Sequence, residues 1–379
     1  MGRPGAVTRR GLGARPALGG VAIAATYVST VVGAGFASGQ EVLRFFTHFG
    51  PWGLAGLGVA TVLLGLGGTA IMLESRWAKA RTHGDLLAWL GGGWFAKVYD
   101  VLITAFLFGT TAVMVAGSGA FFQEQLGLPR LTGDMVMAAA AVATVLVGLR
   151  GVVVASEVVV PFLLLGVAAV TVATLAAHGG PLVPGAGLGG WRPAAAAAPN
   201  WGLAGVLYAS YNLLLAPAVL TPLAVRAGSP RAVVLGGVLG GVLLGLAAMG
   251  VNLSLLGTLP GAGRFEVPML YVAGLAAGRY AAAARFAYGL VLWGEIYTTA
   301  VGLLYGFACR LAGGGGSPRR GGEGLVFRRW VLAGGLGALL AARVGFSNMV
   351  ATLYPLVGYA GLVLLLVTIV RLRRGGRAG

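Results

Sequence analysis

Three carboxylates, Glu41, Glu157 and Glu295, and the adjacent hydroxyls of Thr298 and Thr299 fall inside long apolar stretches of the chain. An ionised carboxylate is expensive in such surroundings, so each of these positions is a functional candidate by default. Carboxylate and hydroxyl oxygens together can bind a hard cation or pass a proton. Hydrolytic or nucleotide-driven chemistry has no such support, because the chain lacks both HExxH and the P-loop pattern. His48, His83 and His178 lie at the ends of apolar stretches or between them and do not group into a metal site. Cys309 is the only cysteine, which excludes an intramolecular disulfide and a cysteine-based metal centre.

Two further segments carry special backbone chemistry. The first runs Tyr27-Val28-Ser29-Thr30-Val31-Val32-Gly33-Ala34-Gly35-Phe36-Ala37-Ser38-Gly39-Gln40-Glu41. Gly33, Gly35 and Gly39 each weaken a helix by about 1 kcal/mol relative to Ala. Ser38 followed by Glu41 has the spacing of a capping box, which marks a helix beginning. One helix is therefore expected to end near Gly33 and another to start near Gly39, unless the glycines serve only close packing of a neighbouring helix. The second segment is Tyr208-Ala209-Ser210-Tyr211-Asn212-Leu213-Leu214-Leu215-Ala216-Pro217. Pro217 lacks a backbone donor and disfavours helix at Ala216. Asn212 offers a side chain to freed backbone groups or to a ligand. Here the plain alternative is a proline kink without a role.

The elements that must position these residues are membrane spans. Hydrophobic residues make up 58% of the 379 and charged residues only 10%, against roughly 25% charged in a soluble domain. Ten apolar spans are expected, near 18–47, 51–74, 94–126, 132–149, 151–177, 201–226, 231–259, 280–312, 327–345 and 347–371. Stretches of this length cross a hydrocarbon core roughly 30 Å thick. Of the 27 Lys and Arg, twenty fall on one side of this layout and six on the other, with Arg44 inside the first span. That bias puts both termini in the cytoplasm. It also accounts for the net charge of +17 without nucleic acid, since no basic and aromatic residues interleave as a stacking surface requires. Arg9, Arg10 and Arg15 before the first apolar run resemble a signal peptide's layout, but nine further spans already provide insertion.

The second half of the layout echoes the first. Short helix-like pieces at His83–Leu90 and near Glu266–Leu275 occupy equivalent connections, and each span begins roughly 180–195 residues after its counterpart. Five spans per half is odd, so the halves must be inverted, and two interruptions in equivalent spans point to a midplane binding site. The expected division is a tail 1–17, a five-helix repeat 18–177, an extracytoplasmic loop 178–200, a second repeat 201–371 and a tail 372–379.

The motif Gly33–Glu41, together with the ten-span layout, resembles the YkvI-type bacterial membrane proteins. These in turn resemble the amino acid–polyamine–organocation superfamily with its LeuT-type fold. The resemblance implies an all-α fold of about ten helices in a 5+5 inverted repeat, with helices 1 and 6 broken. It further implies half-helix N-termini near Ser38–Gln40 and Pro217 facing a small-molecule substrate, whose carboxylate their dipoles would suit. Expected substrate-binding residues are Gly33, Ala34, Gly35, Ser38, Gly39, Tyr211 and Asn212. Expected ion-coupling residues are Thr298, Thr299, Glu295, Glu157 and Glu41. Thr298 and Thr299 match the eighth-span hydroxyls that complete a sodium site in sodium-coupled members. They can equally bond back to their own helix, and Glu41 can equally pair with Arg44. Asp100 is expected to be solvated or paired with Lys97, and Glu74 to lie at the membrane interface. The resulting expectation is a multi-pass protein of the bacterial cytoplasmic membrane, without organic cofactor. It would use Na+ or H+ to carry an amino acid or similar small solute. The alternatives are a transporter-fold sensor resembling a germinant-receptor subunit and, least favoured, an intramembrane enzyme.

Overall fold

The computed structural model describes residues 17–147, 150–178, 196–313 and 322–375. Nearly all of the expected tail 1–17, half of the tail 372–379, the greater part of the 178–200 loop, and the side chains of Glu157 and His178 lie outside the described residues.

The chain folds into helices, named here α1 (Gly20–Val31), α2 (Ala34–Ser38), α3 (Gln40–Phe45), α4 (Trp52–Trp77), α5 (His83–Leu126), α6 (Arg130–Val147) and α7 (Arg150–His178) in the first half. The second half comprises α8 (Trp201–Leu215), α9 (Pro217–Arg226), α10 (Pro230–Leu256), α11 (Pro268–Ala276), α12 (Ala281–Leu311), α13 (Gly322–Ala341) and α14 (Phe346–Gly375). Among the described residues eight helices are long and apolar enough to cross a membrane. The pair α8–α9, bent by 64°, makes a ninth if taken as one span. In place of an uninterrupted first span stand α1, α2 and α3, the longest of only 12 residues, too short to cross alone.

Local sequence explains three of the helix starts. Thr82 accepts the Asp85 N–H and Asp85 accepts the Thr82 N–H, a reciprocal box that starts α5. Asn200 and Ser229 cap α8 and α10 through Leu203 and Ala232. Gly92 departs from helical geometry inside α5 (φ 83°). It separates the short piece expected near His83–Leu90 from the long span. The corresponding short piece of the second half is α11.

Packing between helices relies on glycine. A Cβ at Gly241 of α10 would run into the backbone of α4 at Gly65, and one at Gly361 of α14 into the Ser210 carbonyl of α8. Backbones approach closely there because no side chain intervenes. Large apolar side chains remain exposed on the outside, among them Val62, Leu66, Leu246, Phe286, Leu290 and Leu366. Such an apolar exterior fits lipid and not water.

One expectation is corrected here and another refined. Ser38 and Glu41 form no capping box: Gly39, in the left-handed region (φ 82°), occupies the N-cap of α3. The Ser38 hydroxyl donates to the Gly35 carbonyl and accepts the Gln40 N–H, while Glu41 turns to another helix. Asp100 is solvated as expected, its side chain 61% exposed, but the ion pair it makes is with Arg310 of α12 and not with Lys97. Arg310 also touches His83 Nε2 at 2.6 Å, because the end of α12 lies beside the start of α5 and brings the longer, forked guanidinium within reach.

Candidate functional site

The first interruption opens at Val32 and Gly33, whose backbones are extended (ψ 117° and −176°). Helical bonding stops after the Val32 N–H reaches the Val28 carbonyl, so the carbonyls of Ser29, Thr30 and Val31 lack intrahelical donors. Two residue types hold the break in place. The Tyr288 hydroxyl of α12 donates to the Ala37 carbonyl of α2 at 2.6 Å. Gly35 has no Cβ, and the space that one would need is filled by the Glu41 carboxylate. Gly33, by contrast, faces open space.

The second interruption falls where it is expected, with α8 ending at Leu215 and α9 starting at Pro217. Ala216 keeps right-handed helical angles (φ −54°, ψ −36°), and its carbonyl accepts the N–H groups of Val219 and Leu220. The break is therefore confined to a sharp bend at Ala216. Pro217 removes one donor and its ring presses on the carbonyl one turn earlier, which suffices for a 64° bend. Asn212 donates to the Tyr208 carbonyl of its own helix at 2.8 Å.

Both interruptions border one cavity of about 390 Å³. Val31–Gly35 supply backbone on one side, and Tyr211, Asn212 and Leu215 face it from α8. Glu41, Glu295, Thr298 and Thr299 line it, as do Phe106, Thr110 and Met114 of α5 and Tyr354 of α14. The structure thus gathers Gly33, Ala34, Gly35, Tyr211, Asn212, Glu41, Glu295, Thr298 and Thr299 around one space. Ser38 and Gly39 do not line it: Ser38 is buried beneath the turn, and a side chain at Gly39 would meet Met269 of α11. Glu157 belongs to α7, and its side chain lies outside the described residues.

Within the cavity, Tyr211 Oη donates to Glu41 Oε2 at 2.5 Å, a charge-assisted bond where Glu41 is ionised. Thr298 Oγ1 lies 3.3 Å from the Glu295 carbonyl and Thr299 Oγ1 3.3 Å from Glu295 Oε1. The second Glu295 oxygen, Oε2, is buried without a hydrogen-bond partner. The rings of Tyr211 and Tyr354 lie 4.9 Å apart, with Phe106 6.1 Å from Tyr354. No Lys, Arg or His lines the cavity among the described residues, and no group of three or more His, Cys, Asp or Glu gathers to hold a metal.

Beyond α2 the space is sealed. Gln40, Glu41 and Arg44 are buried. Gln40 Nε2 donates to the Ser347 hydroxyl of α14 at 2.5 Å, and Arg44 donates to the same hydroxyl. Farther out, Arg130 pairs with Glu266, and Glu124 accepts the N–H groups of Glu266 and Val267 at 2.6 and 3.0 Å. On the opposite side the cavity reaches Ser29 and Thr30, which retain exposure. Phe106, Tyr288, Ser347 and Tyr354 went unrecognised in the sequence. Nothing local marks them, since their roles come from helices far away in the chain.

No family model matches the chain. Two Bacillus subtilis (strain 168) proteins match it along most of its length. "Uncharacterized membrane protein YkvI" is 29% identical over 341 residues, which cover 90% of this chain and 92% of that protein. "Uncharacterized protein YyaD" is 28% identical over 344 residues, covering 89% and 92%. Among solved structures, a Na+-coupled sialic acid symporter aligns with TM-score 0.61 at 11% identity, over 93% of this chain and 79% of that one. Mhp1 in its inward-facing conformation aligns with TM-score 0.56 at 13% identity, over 93% and 76%. MhsT in complex with L-phenylalanine aligns with TM-score 0.50 at 14% identity, over 94% and 99%. Such identities establish a shared fold and nothing finer. The chain is thus a multi-pass membrane protein related to YkvI and YyaD and built on the LeuT-type fold of these transporters.

Proposed function

We propose that this protein is an ion-coupled secondary transporter of an amino acid or similar small organic solute, working by alternating access across the bacterial cytoplasmic membrane. One observation carries the reading: a broken span and a sharply bent span face a single cavity that holds carboxylates, hydroxyls and freed backbone. Non-helical backbone deep in a membrane protein is tolerated where it lines such a cavity. Substrate contacts fall to Gly33, Ala34, Gly35, Tyr211 and Asn212. Thr298, Thr299 and the last-turn carbonyls of α1 supply oxygens of the kind that bind sodium, with Glu295 adjoining them. Protons carried by Glu295, Glu41 or Glu157 are the rival coupling ion.

With both termini cytoplasmic, the cavity reaches toward the cytoplasm past Ser29 and Thr30. The seals at Ser347 and Glu266 then lie on the outer side. One sodium ion moving down 100 mV releases about 2.3 kcal/mol, which supports roughly 50-fold accumulation of a neutral solute.

Reconstituted protein tests this directly. Proteoliposomes given a mixture of labelled amino acids and amines should accumulate at least one of them only when a sodium or proton gradient is imposed. Binding without flux under every gradient would overturn the transporter reading in favour of a sensor.

A further inference from the structure

We infer that Arg130 is a two-position switch at the outer seal. Glu266 holds its guanidinium while the seal is closed, and Asp134 receives it when the seal opens. The inference rests on the transporter reading above only in requiring that the seal opens.

The closed position joins several elements. Glu266 stands just before α11, and its N–H and that of Val267 are accepted by Glu124 near the end of α5. Its carboxylate pairs with Arg130, the first residue of α6. Arg130 also reaches the turn between α13 and α14, where a Cβ at Gly345 would lie 3.4 Å from its Nη1. Under this cover Met269 of α11 is fully buried and fills the space beside Gly39. Glu266 is only two residues before Pro268, the first residue of α11. Lifting α11 off the broken span therefore pulls Glu266 away from Arg130.

Asp134 is the second acceptor. It follows Arg130 by four residues, which puts both on one face of α6. Both side chains cross Gly119 of α5, where a Cβ would collide with Asp134 Oδ1 and lie 2.8 Å from Arg130 Cγ. Asp134 is 3% exposed, and its Oδ1 and Arg130 Nε are buried without hydrogen-bond partners. An unpaired buried acceptor costs free energy, so the sealed state carries a penalty that Arg130 removes by turning to Asp134. A carboxyl oxygen accepts from a guanidinium whether or not the group carries a proton, so the exchange does not depend on the charge of Asp134. While Glu266 is within reach it wins, because an acid placed after its cation is the weaker order at this helical spacing.

The experiment reads how often α11 lifts. Met269→Cys in a Cys309→Ser background leaves one thiol, buried in the sealed state. Its labelling rate by a charged maleimide is measured on the full-length protein in detergent. Glu266→Ala should speed labelling by about threefold, the scale of a half-exposed ion pair, and Asp134→Ala should slow it by a similar factor. In an Arg130→Gln background both effects should vanish. A merely structural Asp134 predicts faster labelling for both variants, and that result, or unchanged rates, would overturn the switch. Thermal unfolding confirms that each variant is folded. If Asp134→Ala does not fold, Asp134→Asn, which keeps the volume but is a weaker acceptor, should still slow labelling, and no slowing would overturn the switch. If labelling contradicts the switch while proteoliposomes of the parent protein still accumulate a solute, the transporter reading stands and only the switch falls.

Discussion

Two glycines in the same helix break should respond oppositely to the same methyl group. At Gly33 the backbone is extended (φ −136°, ψ −176°), which any residue adopts, and a Cβ would meet nothing within 4 Å. Gly33→Ala should therefore be neutral or slightly stabilising. At Gly35 a Cβ would collide with the Glu41 carboxylate oxygen and lie 2.7 Å from its Cδ and 3.0 Å from its Cγ. The obstacle is a side-chain end, so Glu41 can move, but it then leaves Tyr211. Losing a hydrogen bond to a charged group costs about 1.5–3 kcal/mol, against a gain of up to about 1 kcal/mol for Ala over Gly in a helix. The net loss is about 0.5–2 kcal/mol, roughly a 2–30-fold change in the equilibrium concerned. Thermal unfolding in detergent measures it, with substrate binding as a second readout. The mechanism is tested by a double-mutant cycle, because residues in contact are non-additive. In a Glu41→Ala background, Gly35→Ala should cost nothing. An equal penalty with and without Glu41 would refute the claim that Gly35 exists to admit that carboxylate.

Two other outcomes follow from the same geometry. Thr298→Val combined with Thr299→Val should raise the sodium concentration needed for half-maximal uptake at fixed pH, since both hydroxyl oxygens are removed. Full uptake in sodium-free buffer that tracks the pH gradient would assign coupling to the carboxylates. Gly361→Ala should destabilise the fold by more than about 2 kcal/mol, because its Cβ meets the backbone carbonyl of Ser210 and neither helix can yield cheaply. Gly58→Ala, with nothing within 4 Å, is the control, and equal melting temperatures for the two variants would contradict the close-approach argument.

The sequence alone determined those properties that depend on local chemistry. Span positions follow from apolar runs long enough to cross a bilayer, and the interruptions follow from Gly33 and Pro217, residues that disturb a helix wherever they stand. The helix starts at Thr82, Asn200 and Ser229 are equally local, since the capping side chain lies within three residues of its donor. Tertiary structure decided everything that required a distant partner. Ser38 and Glu41 have the spacing of a capping box, yet Tyr211, 170 residues on, claims the carboxylate. Asp100 has Lys97 one turn away and pairs with Arg310, 210 residues distant. Pro217 marked where the second span breaks, but only the packed bundle revealed how sharply it bends there. Tyr354 and Phe106 carry no local signal at all. They matter because α5 and α14 bring their rings to one cavity, and side chains meeting across a bundle are selected by helix packing, which no window of neighbouring residues encodes.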